Sequence, residues 1–251
     1  MPDRLIRQTP KLQPEDLLSA TGKAAAAALY RTLLLDDCLP FWFPRCVDQD
    51  HGGYLHCVDR DGTVVDSDKS IWAQGRMAWM LLTLAQTPQL AHDPRRSDWL
   101  SWAESGLQFL LRHGFSGATD EPTRDSTRGQ MYFHVTRDGR PIRRRRYVYS
   151  ESFAAIAFAR HAAITNNQQS ASLARSLFDT FVDSNFTPGR IPPKFSQERP
   201  LIGLAPRMIT LVTAHELQRT PAEHPSQQLW IDRCINEIRT LFYKPDISCV
   251  M

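Results

Sequence analysis

The stretch SESFAAIAFARHAAI at residues 150–164 decides the fold. From Phe153 to Ala159 every side chain is aromatic, aliphatic or a bare methyl, and alanine is the strongest helix former. A helix that is apolar around most of its circumference belongs inside a protein. The helices on either side of it read differently. Residues 95–113 place Trp99, Trp102, Ala103, Gly106, Phe109 and Leu110 on one face and Ser101, Glu104, Ser105, Gln108 and Arg112 on the other. Residues 169–184 set Leu173, Leu177 and Phe181 against Arg175, Asp179 and Asp183. Both patterns describe one-sided helices with a wet back.

Outward from this centre, the same reading predicts seven helices, at about 14–35, 67–87, 95–113, 150–164, 169–184, 204–219 and 226–243. Pro88, Pro221 and Pro245 follow the second, sixth and seventh. The second carries Ile71, Gly75, Ala78, Leu82 and Ala85 on one stripe and Trp72, Arg76 and Trp79 on another. The sixth carries Met208, Ile209, Leu211, Val212 and Ala214. Helices two, four and six are thus expected inside, and one, three, five and seven outside. Two concentric rings satisfy that alternation. The expected fold class is all-α, with short β-hairpins between outer and inner helices.

The hairpins come from an internal repeat. YLHCVDRDG at 54–62 and MYFHVTRDG at 131–139 stand 77 residues apart. Each has a β-prone run, an Arg-Asp-Gly turn and a second run, a hairpin signal. The same offset carries Gln74 onto Glu151. Chemistry should gather where the hairpins meet the N-terminal ends of the inner helices, whose dipoles favour an oxygen-rich ligand.

Composition narrows the class. The chain has 251 residues, 42% hydrophobic and 23% charged, with a formal net charge of +3. That is globular composition, with little electrostatic footprint for nucleic acid. MPDRLIRQTPKLQPEDLL at 1–18 has no apolar core, so no secretory signal is expected. Five irregularly spaced cysteines, without a CxxC pair, read as reduced cytoplasmic thiols. His51, His56 and Cys57 are the nearest approach to a metal set, and none is expected. The run Arg143–Arg146 reads as a charged edge strand rather than a nucleic-acid patch. His215 reads as a core or rim histidine. No GxSxG, GxxxxGK[ST] or GxGxxG occurs.

Arg76 is the sharpest single candidate, a cation between Trp72 and Trp79 on an otherwise apolar helix. Such an arginine either faces a polar cavity or pairs with an acid. Glu151 stands in the first turn of the fourth helix, where it either meets a ligand at the cavity mouth or complements the helix dipole. Tyr132 lies in a hairpin strand, with a hydroxyl that needs a partner. Trp72 and Gln74 complete the candidate set.

The segment 48–80, DQDHGGYLHCVDRDGTVVDSDKSIWAQGRMAWM, resembles the N-acylglucosamine 2-epimerase family. Gly52-Gly53-Tyr54, Asp59-Arg60-Asp61-Gly62, Lys69, Trp72, Gln74-Gly75-Arg76 and Trp79 match its pattern in order, and residues 131–159 resemble its next hairpin and inner helix. The resemblance runs from about residue 40 to the end. It implies an (α/α)6 barrel, of which residues 1–251 would be the N-terminal portion as a single domain. It implies epimerisation at C2 of a sugar, typically N-acetylglucosamine and N-acetylmannosamine, with relatives acting on cellobiose or isomerising mannose. Arg76 is the residue the motif places at the reaction. Trp72, Gln74, Tyr132 and Glu151 would bind substrate.

The family's two acid/base histidines have no matching position here. The resemblance therefore implies a truncated and inactive chain. The expected partners are a small-molecule sugar and a possible homodimer mate, with no cofactor, nucleic acid or membrane. The competing readings are a non-catalytic sugar- or protein-binding remnant and a glycoside-processing toroid. The latter needs two opposed carboxylates, and Glu151 has no evident second.

Overall fold

The computed structural model describes residues 13–115, 130–143, 148–191, 198, 201–220 and 226–250. The chain forms two compact units. One holds Met1–Cys46 with Asp59–Thr63, and the other holds Val47–Val58 with Val64–Met251.

In the first unit α1 (Ala20–Thr32) begins at Ser19, whose Oγ accepts the Gly22 N–H at 2.9 Å. Capping of this kind satisfies one of the free first-turn amides. The helix runs through a π-helical turn, Leu33–Cys38, into α2 (Leu39–Trp42). The Arg45 guanidinium stacks over Phe41, 5.2 Å from the ring centre. A Cβ on Gly62, which has φ +87°, would meet that guanidinium.

The second unit holds the inner and outer helices. Short strands β1 (Cys57–Val58), β2 (Val64–Asp66) and β3 (Lys69–Ser70) lead into α3 (Ile71–Gln86), which is followed by α4 (Arg96–His113). Strands β4 (His134–Val135) and β5 (Pro141–Arg143) lead into α5 (Tyr149–Thr165), then α6 (Gln168–Phe186). Helices α7 (Ala205–Leu217) and α8 (Ser226–Glu237) close the series, with β6 (Tyr243–Lys244) and β7 (Cys249–Val250) pairing beyond them. Helix α3 packs on α4 and α5, α5 on α6 and α7, and α7 on α8. Helices α3, α5 and α7 are therefore side-by-side inner neighbours, each backed by an outer one.

Burial follows the predicted alternation. In α5 the buried residues run around the helix, from Ser150 to Ala162, whereas α6 buries one stripe of Ala171, Ala174, Leu177, Phe178, Phe181 and Val182. Helix α4 buries Trp99, Ala103, Gly106, Leu107, Phe109 and Leu110. Helix α7 departs from expectation. It buries Thr210, Thr213, Ala214 and Leu217, while Met208 and Val212 are each 53% exposed.

The 77-residue offset carries strand onto strand, β1 onto β4 and β2 onto β5. It also carries turn onto turn. Asp59 N–H donates to Thr63 C=O and Gly62 N–H to Asp59 C=O, just as Thr136 N–H donates to Arg140 C=O and Gly139 N–H to Thr136 C=O. Gly62 and Gly139 both have positive φ, +87° and +92°, which glycine adopts without a Cβ penalty. One boundary differs. The second predicted helix starts at Ile71 rather than near 67, because Lys69 and Ser70 pair with Val135 and His134 as a strand. Arg143 ends β5 and is exposed, while Arg144–Arg146 lie outside the described residues. Among the described residues no helix is long and apolar enough to cross a membrane.

Candidate active site

The site is built at the N-terminal ends of α3 and α5. Helix α3 turns Gln74, Gly75, Ala78, Leu81, Leu82 and Ala85 into the core. A Cβ on Gly75 would lie 2.7 Å from the Phe153 carbonyl oxygen, so the absence of a side chain there lets α3 and α5 approach. The opposite stripe of α3, Trp72, Arg76 and Trp79, is its less covered face. Trp72 rests against Phe153 of α5, with ring centres 5.5 Å apart.

Arg76 is exposed and makes no hydrogen bond or ion pair with another described residue. The argument for a buried arginine on an apolar helix describes Arg160 instead. Arg160 is 4% exposed; it donates to Gln86 Oε1 at 2.7 Å and pairs with Glu216, which also accepts from Trp79 Nε1 at 3.1 Å. That network links α3, α5 and α7. Sequence reasoning passed over it, although an arginine inside AAIAFAR carries the same signal. Arg76 by contrast is uncovered, and among the described residues no bond joins it to Tyr132 or Glu151.

Gln74 and Glu151 hold backbone from behind. Gln74, fully buried, accepts the Tyr54 N–H at 2.7 Å and donates to the Tyr54 carbonyl at 2.9 Å. Glu151, 1% exposed, accepts the Met131 N–H at 2.6 Å. Burial raises its acid to about 7, against the downward pull of the Met131 and Glu151 amides. Tyr132 is half-buried in the segment between Met131 and β4, and its own N–H donates to Gly114 C=O at 2.9 Å.

Two further groups shape this end. Lys69 is wholly buried, with Nζ donating to Asp48 Oδ2 at 2.8 Å, Gly52 C=O at 2.7 Å and Arg137 C=O at 2.9 Å. Arg137 bonds both oxygens of Asp48 and reaches Asp50. Burial alone would raise the Asp48 carboxyl, but the bonds from Arg137 and Lys69 outweigh it and hold the group well below its usual range. His56 Nε2 accepts the Ser70 N–H at 2.8 Å. Burial, aided by the neighbouring His134, lowers its pKa, so it serves as a neutral acceptor at the start of α3. His215 is exposed on α7. Among the described residues no group of three His, Cys, Asp or Glu is placed to hold a metal ion.

An uncovered arginine between two tryptophans offers a cation and flat apolar rings to an oxygen-rich ligand. Comparison with known proteins gives the family. The family model described as N-acylglucosamine 2-epimerase (GlcNAc 2-epimerase) matches residues 53–231. The chain belongs to the N-acylglucosamine 2-epimerase family. The mouse N-acylglucosamine 2-epimerase is 34% identical over 148 residues, which are 59% of this chain and 33% of that protein. The human one is 35% identical over 123 residues, 49% of this chain and 26% of the relative. The matches thus span about a third or less of these relatives. Among solved structures, the cellobiose 2-epimerase of Bacillus thermoamylovorans B4167 superposes with a TM-score of 0.74 at 20% identity, covering 91% of this chain and 59% of that one. A D-mannose isomerase gives 0.62 at 14% identity, covering 87% and 51%. The epimerase-family fold is an (α/α)6 barrel, and the paired inner and outer helices described above are its repeating unit.

Proposed function

We propose that this chain carries the sugar-binding portion of a carbohydrate 2-epimerase, which interconverts an N-acylglucosamine and its N-acylmannosamine. The observation that carries the reading is Arg76, a guanidinium without a protein partner among the described residues, flanked by Trp72 and Trp79 within the segment that matches the family model. The C2 proton of an open-chain sugar is acidic because it adjoins the C1 carbonyl. Its removal by a base gives an enediolate, and reprotonation on the other face completes the inversion. A cation near O1 stabilises that charge, and this is the role given to Arg76. Trp72 and Tyr132 would flank the sugar. Gln74 and Glu151 would act from behind, through the strands they hold.

The resemblance implies acid/base histidines at positions that this sequence does not match. For residues 1–251 alone the reading is therefore sugar binding without turnover. The fold it shares with cellobiose 2-epimerases and a mannose isomerase favours, as a second reading, a relative acting on a different sugar through the same enediolate. The cytoplasmic setting belongs to the same proposal. Incubation with N-acetylmannosamine in D2O, followed by NMR, tests it. Binding without loss of the C2 proton signal is the expected result. Absence of binding to N-acetylmannosamine, mannose and cellobiose alike would refute it.

A further inference from the structure

Gln74 and Glu151 occupy corresponding places in the 77-residue repeat, and so do the backbone groups they hold. Gln74 bonds Tyr54 and Glu151 bonds Met131, each reaching 20 residues back along the chain. The first copy closes with two bonds, the side chain accepting the Tyr54 N–H and donating to the Tyr54 carbonyl. The second copy shows one. Glu151 Oε1 accepts the Met131 N–H, while Glu151 Oε2 is buried without a partner among the described residues. An ionised carboxylate only accepts hydrogen bonds, so it cannot supply the counterpart of the Gln74 amide; a protonated one can.

We propose that Glu151 is a neutral carboxylic acid in the folded protein, its Oε2–H donating to the Met131 carbonyl, and that it is a positioning residue for Tyr132 rather than a sugar ligand. The side chain is 1% exposed, and burial lifts its pKa to about 7. Among the described residues, the titratable groups on the elements packed around this turn include Tyr149 beside it, Arg76 on α3, Tyr132 just before β4 and His134 on it, Asp179 and Asp183 on α6, and Arg207 on α7, while Arg160 and His161 of α5, Arg175 of α6 and His215 and Glu216 of α7 lie further along their helices. None of them hydrogen-bonds or ion-pairs with Glu151. Asp183 is held by Arg190 and Arg207 by Glu237, each at 2.8 Å. Ionisation would set Oε2 and the Met131 carbonyl face to face as two acceptors. Their repulsion displaces the carboxylate as a whole, against the stronger pull of a charged Oε1 on the Met131 N–H, and loosens the Met131 end of a segment otherwise tied by the Tyr132 N–H to Gly114, the Phe133 N–H to Arg143 and the Ile71 N–H to Phe133. The importance of Tyr132 to a sugar rests on the reading proposed above; the protonation state of Glu151 does not.

The test is a pair of substitutions read on both sides of pH ~7. Glu151→Gln rebuilds the two-bond arrangement without a titrating group, and Gln74→Glu installs the acid in the first copy. Expected is a Met131 amide that exchanges about tenfold faster in the wild type than in Glu151→Gln at pH ~8.5, and equally at pH ~5.5. Gln74→Glu should give the Tyr54 amide the same pH dependence. Carbon NMR of labelled glutamate in the unaltered chain should show one side chain titrating near 7. Sugar binding, measured alongside, should weaken with the released amide in the wild type and hold in Glu151→Gln. Identical exchange in wild type and Glu151→Gln at high pH, or a Glu151 already ionised at pH ~5.5, would overturn the proposal even if the chain binds sugar. A chain that binds no sugar but shows the exchange pattern would leave the neutral acid standing and remove only the role of Tyr132.

Discussion

Lys69 and Asp48 form an ion pair at 2.8 Å with both side chains fully withdrawn from solvent. The ammonium also sits 4.4 Å from the centre of the Phe109 ring and gives its remaining protons to the Gly52 and Arg137 carbonyls. This one residue ties the 48–53 loop, β3 and the second hairpin turn together. Removing one member of a buried pair leaves the other charge uncompensated, which costs about 3–5 kcal/mol. Lys69→Met should therefore lower unfolding free energy by about 3 kcal/mol in urea titration. A loss below about 1 kcal/mol would mean that Arg137 alone satisfies Asp48.

The same carboxylate sets a direction in acid. Its folded pKa lies below the ordinary 3.8, because the Arg137 and Lys69 bonds outweigh desolvation. Its contribution is thus fully present above about pH 4 and is lost as pH falls below that value. Asp48→Asn should flatten the fall in stability on that side, as read by denaturant titrations across the pH series. An unchanged acid slope in the variant would contradict the assignment.

Gly75 tests the approach of α3 to α5. Alanine at a helix interior is favoured over glycine by about 1 kcal/mol. Here its Cβ would fall 2.7 Å from the Phe153 carbonyl oxygen and 2.9 Å from the Ala154 nitrogen. Overpacking of this kind costs about 1–3 kcal/mol, so Gly75→Ala should destabilise. Thermal melts showing an increase in Tm would place the two helices farther apart than described.

Glu216 joins three inner helices through Arg160 and Trp79. Glu216→Ala would leave a buried guanidinium with Gln86 as its remaining partner, at a cost of about 3 kcal/mol or more. Glu216→Gln, which keeps an acceptor, should cost less. Equal effects of the two substitutions in denaturant titration would show that the charge is irrelevant.

Much of this fold is legible in the sequence, since periodicity and repeats are local signals. The all-round apolar run at 153–159 and the one-sided run at 95–113 are buried as their patterns require. The 77-residue offset already aligns β1 with β4 and β2 with β5. What the sequence hides depends on partners distant in the chain. Lys69 and Ser70 look like the start of a helix until Val135 and His134 pair with them. The Asp48–Lys69–Arg137 cluster joins residues 21 and 89 positions apart, and no spacing rule announces it. Arg76 and Arg160 present the same local pattern, one cation in an apolar helix. Only packing shows that Arg160 has an acid on α7 to meet and Arg76 has none among the described residues.

The central claim is that a sugar lies against the Trp72–Arg76 face, and saturation-transfer NMR with N-acetylmannosamine tests it most directly. Because Arg76 is exposed and unpaired among the described residues, Arg76→Ala should change stability by no more than about 0.5 kcal/mol. Its loss from the site should remove a charge-assisted bond of about 1.5–3 kcal/mol, a tenfold or greater loss of affinity. The account predicts saturation transfer to the sugar ring protons in the unaltered chain and its disappearance in a folded Arg76→Ala. Undiminished transfer in that variant, with the same melting temperature, would contradict it.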